Sequence, residues 1–154
     1  MTVVFVTGMS GTGKSAALAE LARRGNRAVD TDYGDWTEGE PGSERLWDED
    51  GIDALLHEHQ EGALFIAGTA DNQGKFYPRF DAVVLLSAPA EVILERIAAR
   101  ESNEFGKQAE ERELILSDLA NFEPLLRARA TAEIDTRAPL EEVVNALERI
   151  AGER

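Results

Sequence analysis

Gly8-Met9-Ser10-Gly11-Thr12-Gly13-Lys14-Ser15 decides how this chain folds. The stretch satisfies G-x-x-x-x-G-K-[ST], a pattern whose glycines let backbone N–H groups turn inward around phosphate oxygens. Its flanks are the ones the pattern requires. Thr2-Val3-Val4-Phe5-Val6-Thr7 is a short, apolar, β-branched run of the kind buried in a parallel sheet. From Ser15 to Arg24, Leu18, Leu21 and Ala22 recur at helical spacing. A strand, a glycine loop and a helix in that order put phosphate at a helix N-terminus, where the backbone dipole is positive. Gly8, Ser10, Gly11, Thr12, Gly13, Lys14, Ser15 and Ala16 are therefore the expected nucleotide-binding residues. Lys14 would reach the β- and γ-phosphates and the Ser15 hydroxyl would ligate a magnesium ion. The expected cofactors are ATP and Mg²⁺.

The remaining composition narrows the class. A chain of 154 residues suits one domain, taken here as 1–154, with enough length to bury a core. The formal charge of −14 argues against sequence-independent binding to nucleic acid or to an anionic membrane, which needs clustered cations. Lysine occurs only at Lys14, Lys75 and Lys107, so each position carries weight. The absence of cysteine excludes disulfides and thiolate metal sites. No apolar run approaches membrane-spanning length and no basic, signal-like leader opens the sequence. The expectation is a cytoplasmic protein, monomeric or homodimeric.

Strand and helix patterns alternate along the chain. Arg27–Thr31, Ala63–Ala67, Asp81–Ser87 and Ala132–Thr136 read as further strands. Helices are expected over Asp50–Gln60 with Asp50 as cap, over Ala90–Arg100, over Ala109–Arg129 with a kink near Pro124, and over Pro139–Ile150. Residues 33–44 and 69–79 read as loops, and 101–108 as a polar flap between two helices. Five strands joined by right-handed crossovers predict an α/β fold: a three-layer α/β/α sandwich around a five-stranded parallel sheet. In such sheets ligands bind at the C-terminal ends of the strands.

Asp30-Thr31-Asp32 stands at one of those ends. Residues i and i+2 of a strand point to one side, so both carboxylates can face the crevice. One can hold a magnesium-bound water, and the other can orient an acceptor hydroxyl or take its proton. The competing reading is an acidic loop start or an Asx-turn. Arg96 and Arg100, at i and i+4 on one helix face, can supply further cations to a developing phosphoryl charge; equally they fit a solvated surface pair. Lys107 beside Gly106 reads equally as a phosphate contact from a closing flap or as a surface lysine.

The chain resembles the shikimate kinase, gluconate kinase and adenylate kinase group of P-loop kinases over nearly its whole length. The resemblance is carried by GMSGTGKS, Asp30-Thr31-Asp32, the Gly68 turn, Leu94-Glu95-Arg96-Ile97-Ala98-Ala99-Arg100, and the run from Ile134-Asp135-Thr136-Arg137-Ala138-Pro139-Leu140 to Val143. It implies Asp30 near the metal, Asp32 on the acceptor as orienting group or base, Arg96 on the adenine and Arg100 on the triphosphate. It also implies Arg137 to Pro139 at the base edge, acceptor entry over 33–61, and a lid-like flap over 101–109. On this reading Lys14, Asp32 and Arg100 are catalytic. Two departures from shikimate kinases argue against shikimate as acceptor. Gly68-Thr69-Ala70-Asp71-Asn72-Gln73 replaces a glycine triplet, and Asn121-Phe122-Glu123-Pro124-Leu125-Leu126 lacks the arginine that binds the acceptor's carboxylate.

Asp71, Asn72 and Lys75 are the expected acceptor-selecting groups, against the reading that 69–79 is a solvent loop. Trp36 and Trp47 fit either a stacking wall for the acceptor or core packing. His57 and His59, at i and i+2 on a helix, do not share a face and are not expected to bind metal. The leading expectation is an ATP-dependent kinase acting on a hydroxyl of a small molecule: a nucleoside, a sugar acid or an antibiotic-like compound. One alternative is a nucleotide-dependent switch with little turnover, favoured by the lack of an apolar strand ending in a metal-binding aspartate. The other is a nucleoside monophosphate kinase, disfavoured because Arg45 is the only arginine between strands two and three.

Overall fold

The computed structural model describes residues 2–9, 11–31, 36–38, 46–99 and 109–152. Five parallel strands, β1 (Thr2–Thr7), β2 (Arg27–Asp30), β5 (Ala63–Ala67), β6 (Ala82–Ser87) and β7 (Ala132–Asp135), form one sheet in the order β2-β5-β1-β6-β7. β1 pairs on one side with β5, Val6 opposite Ala67, and on the other with β6, Thr7 opposite Leu85. β5 and β2 lie on one side of β1, and β6 and β7 on the other, so the chain crosses from one side to the other past β1, and the topological switch point, with the ligand crevice, lies at the end of β1. That is where Gly8 stands.

Alternation along the strands builds two cores. Val4, Val6, Phe65, Ala67, Val84 and Leu86 face α1 (Lys14–Arg23) and α5 (Leu140–Gly152), burying Ala17, Leu18, Leu21, Val143, Val144 and Leu147. Val3, Phe5, Leu64, Ile66 and Val83 face the other way, onto α2 (Glu49–Glu58) through Ile52, Leu55 and Leu56. The central strands β1, β5 and β6 are buried on both faces, which is why they read as continuous apolar runs, whereas the edge strands β2 and β7 are partly exposed. A smaller cluster joins Ile93 and Ile97 of α3 (Ala90–Ala98) to Ile115 of α4 (Ala109–Arg129), a helix that continues through Pro124. The expected three-layer α/β/α architecture is the observed one.

Three local readings change. A short antiparallel pair, β3 (Thr37–Glu38) and β4 (Leu46–Trp47), precedes α2, with Thr37 opposite Trp47. The cap of α2 is Asp48 rather than Asp50: Asp48 is extended and its carboxylate accepts from Gly51 N, so the helix begins earlier than expected. The second loop is not a solvent loop throughout, because Gln73–Arg79 winds into a 3₁₀ helix. It buries Phe76 and delivers Phe80 onto Phe5, with ring centroids 4.9 Å apart.

Candidate active site

The phosphate loop is shaped by close approach on two sides. A Cβ at Gly8 would lie 2.5 Å from the Leu86 carbonyl oxygen and 2.7 Å from Thr12 Oγ1. At Gly11, with φ +83°, a Cβ would sit 2.9 Å from Ile93 Cγ2, so α3 packs directly against the loop. Gly13, at φ +96°, turns the chain into α1 as its N-cap. Lys14 is 7% exposed, and its Nζ donates to Gly8 O at 2.6 Å and Met9 O at 3.3 Å. Thr12 Oγ1 donates to Met9 O at 2.7 Å, and Thr69 Oγ1 to Gly8 O at 2.8 Å.

Ser15, at the start of α1, meets the end of β2: its Oγ donates to Asp30 Oδ2 at 2.7 Å. Hydroxyl and carboxylate are hard oxygen donors and fit Mg²⁺. Among the described residues no three carboxylate or imidazole groups converge. An ion there would complete its shell with phosphate oxygens and water, as magnesium commonly does.

Beside the loop lies a cavity of about 290 Å³ lined by Gly13, Ala16, Arg96, Thr136, Ala138, Leu140 and Val143. Its walls are largely apolar, and Arg96 is fixed across it. Nη1 donates to Gly11 O at 3.2 Å and Thr136 Oγ1 at 2.9 Å, and Nη2 to Thr136 O at 2.7 Å. Thr136 is tied in turn to the end of β6, its N–H donating to Ser87 O at 2.8 Å. A planar, immobilised guanidinium in an apolar slot next to a phosphate loop can stack on a flat base. Arg137 and Pro139 stand at the exposed rim and do not line the cavity. Arg137 is drawn instead onto Asp135, whose carboxyl its guanidinium holds below the usual range.

The acceptor-selecting candidates divide. Asp71 is exposed. Asn72 is occupied within the fold: its Oδ1 accepts from Trp47 N at 2.8 Å, and its Nδ2 donates to Trp47 O and to Glu49 Oε2. Lys75 pairs with Glu49 at 3.0 Å, and the Glu49 carboxyl is held low chiefly by Asn72 and then by Lys75. Trp47 is 1% exposed, in the core against Phe5 and Phe76, with its indole N–H on Thr31 Oγ1 at 3.0 Å; Trp36 packs half-buried against the same cluster. Asn72 and Trp47, with Asp48, Glu49, Asp50 and Leu46, line a second cavity of about 260 Å³. Ser10, Asp32, Arg100, Arg45, Lys107 and the flap lie outside the described residues.

Sequence reasoning missed Thr69, Thr136, Leu140 and Val143, while Ala138 fell within the expected Arg137 to Pro139. Leu140 and Val143 were legible as the apolar positions after Pro139; the two threonine hydroxyls carry no local signal.

A family model described as an AAA domain matches residues 4–117. The chain belongs to that family. No curated protein matches it in sequence. Its structure is similar to that of a shikimate kinase from Acinetobacter baumannii in complex with shikimate, at 21% identity and TM-score 0.66 over 97% of this chain and 92% of that one. It is similar also to a shikimate kinase from Aquifex aeolicus, at 15% identity and TM-score 0.63 over 97% and 95%. A sugar kinase from Janibacter matches at 21% identity and TM-score 0.57 over 98% of each chain. At these identities the likeness establishes the fold alone, that of the P-loop kinase-like group. Among the described residues no helix is long and apolar enough to cross a membrane.

Proposed function

We propose that the chain is a small-molecule kinase that transfers the γ-phosphoryl group of Mg·ATP to a hydroxyl. The observation that carries this reading is the 2.7 Å contact between Ser15 Oγ and Asp30 Oδ2. It supplies the carboxylate that the two strands paired with β1 do not: β5 ends in Ala67 and β6 in Ser87. A bound magnesium ion would neutralise the β- and γ-phosphate oxygens. Ser15 and Asp30 would hold it, Lys14 would bind the same phosphates, and the Gly11–Ser15 backbone would cradle them. The base would enter the 290 Å³ cavity against Arg96, with Ala16, Ala138 and Leu140 around it.

The acceptor would enter over 33–61 and the loop after β5. Asp32 would orient or deprotonate its hydroxyl, and Arg100 would stabilise the transferring group. The glycine triplet and the carboxylate-binding arginine of shikimate kinases are replaced here. That favours a hydroxylated acceptor such as a nucleoside, a sugar acid or an antibiotic-like compound over shikimate. A carboxylate already on the magnesium-binding serine favours turnover over a passive switch. The reading is tested by ADP release from Mg·ATP against a panel of nucleosides, nucleoside monophosphates, sugars, sugar acids and aminoglycoside-type compounds. Release stimulated by one class supports the kinase and names its acceptor. Tight ATP binding with no stimulated release by any acceptor would sink it.

A further inference from the structure

Among the described residues six large apolar side chains stand exposed, and two of them, Leu46 and Leu140, line the cavities of about 260 and 290 Å³. The other four, Leu114, Leu116, Phe122 and Leu125, all lie on α4. Leu114 is 49% exposed, Phe122 52% and Leu125 64%, and helical spacing puts these three on one side, with Leu116 turned away from them. An adjoining side carries Ile115 and Leu119 into the cluster with α3. Scattered exposed leucines are ordinary on a soluble surface, but a row of apolar groups along one helix face marks a contact.

The polar groups along the row indicate what it contacts. Glu110, Leu114, Asp118, Asn121, Leu125 and Arg129 follow one another at intervals of four, four, three, four and four, so they run along one face. Those intervals read the same in both directions, and the residue types at matching places are complementary. About a centre between Leu119 and Ala120, Leu114 answers Leu125, Asp118 answers Asn121, and Glu110 answers Arg129. A second α4 laid antiparallel on this face, with a two-fold axis at that centre, would set leucine on leucine, carboxylate on carboxamide and, at both ends, Glu110 on Arg129. Both end residues are exposed, and Arg129 is steadied by the Tyr77 ring, its guanidinium 4.5 Å from the centroid. We propose that this face of α4 is the contact between two copies of the chain, paired antiparallel. Self-complementarity of charge and apolar groups selects a second copy over a different partner. With Glu110, Asp118 and Arg129 as its charges the face is nearly neutral, so two chains that each carry −14 meet there with little local repulsion. Nothing in this pairing depends on nucleotide binding.

Sedimentation velocity and light scattering over a concentration series read it out, on wild type, Leu125→Asp, Glu110→Arg, Arg129→Glu and the double charge reversal. Wild type should be dimeric at about 100 μM and dissociate on dilution. Each side chain enters a two-fold interface twice, so Leu125→Asp should raise the dissociation constant about 100-fold or more. Either single reversal sets like charges together at both ends and should raise the constant about 10-fold at low salt, less at high salt. Mixing Glu110→Arg with Arg129→Glu in equal amounts should restore dimers, because both end pairs are then opposite in sign. The double reversal should restore them within one chain. The charge variants keep both leucines, so they test the pairing even where Leu125→Asp fails to fold. A wild type that is monomeric at about 100 μM would overturn the proposal, and is the result expected if the face takes a different protein. Dimers that persist in a folded Leu125→Asp protein would overturn it, as would single reversals that leave association unchanged or that mixing does not rescue.

Discussion

Replacing Gly68 by alanine gives the most direct measure of how tightly the end of β5 is built. A Cβ there would lie 2.1 Å from Thr31 Oγ1, far inside any tolerable contact. Thr31 cannot simply turn away. It is 1% exposed, its hydroxyl donates to Ala67 O at 2.7 Å, and it is the acceptor for the Trp47 indole N–H at 3.0 Å. Rotating it strands the indole N–H in the core, at about 1–3 kcal/mol. Keeping it forces overpacking of similar size, about 1–3 kcal/mol. Because either response also disturbs the other contact, the expected loss is about 2–4 kcal/mol. For a chain of this length that lowers Tm by roughly 5–15 °C. Calorimetry and urea denaturation of Gly68→Ala, Thr31→Ala and the double variant read it out. Thr31→Ala removes the clashing oxygen and leaves Thr31 Cβ, 3.4 Å from the added methyl, in ordinary contact. The double variant should therefore be no less stable than Thr31→Ala alone, a strongly non-additive cycle. Additive losses, or a Gly68→Ala protein within about 0.5 kcal/mol of wild type, would refute the reasoning.

Three further outcomes are expected. Asp30→Asn should lower acceptor-dependent ADP release by about 10²-fold and raise the Mg²⁺ concentration needed for half-maximal rate, measured by titrating the metal at fixed ATP. Arg96→Met removes the three hydrogen bonds that fix the guanidinium across the 290 Å³ cavity and, with the base proposed to sit there, should raise KM for the nucleotide about 10-fold, with a lowered melting temperature in its absence. In Arg127→Met the Glu133 carboxyl, held below its ordinary value first by Arg127 and then by Ser87, should titrate higher, as carboxyl NMR would show. A depressed folded pKa contributes stability that is present above the unfolded value, about 4.3 for glutamate, and is lost as pH falls through the folded one. The stability gap between wild type and Arg127→Met should thus be widest near neutral pH and close below about pH 4.

What the sequence discloses about this site follows from how local each constraint is. The phosphate loop is legible because its conformation is demanded residue by residue: Gly11 and Gly13 hold φ values of +83° and +96°, which few other residues accept. The sheet is legible because its central strands, buried on both faces, must be apolar throughout, and Asp30 stands out as a carboxylate closing the edge strand β2. Asn72 has no comparable signature. An asparagine in a polar stretch fits an acceptor contact as well as a bracket around the Trp47 backbone, 25 positions away. Phe76 inside the same stretch and Phe80 just beyond it, four residues apart, were the available sign that it turns inward. Thr69 is the extreme case, since its meaning lies in a carbonyl 61 positions back that it shares with Lys14. A hydroxyl in a loop looks the same in sequence whether it meets water or a buried oxygen. Residues that act through another group's hydrogen bonding are therefore the ones a motif cannot name.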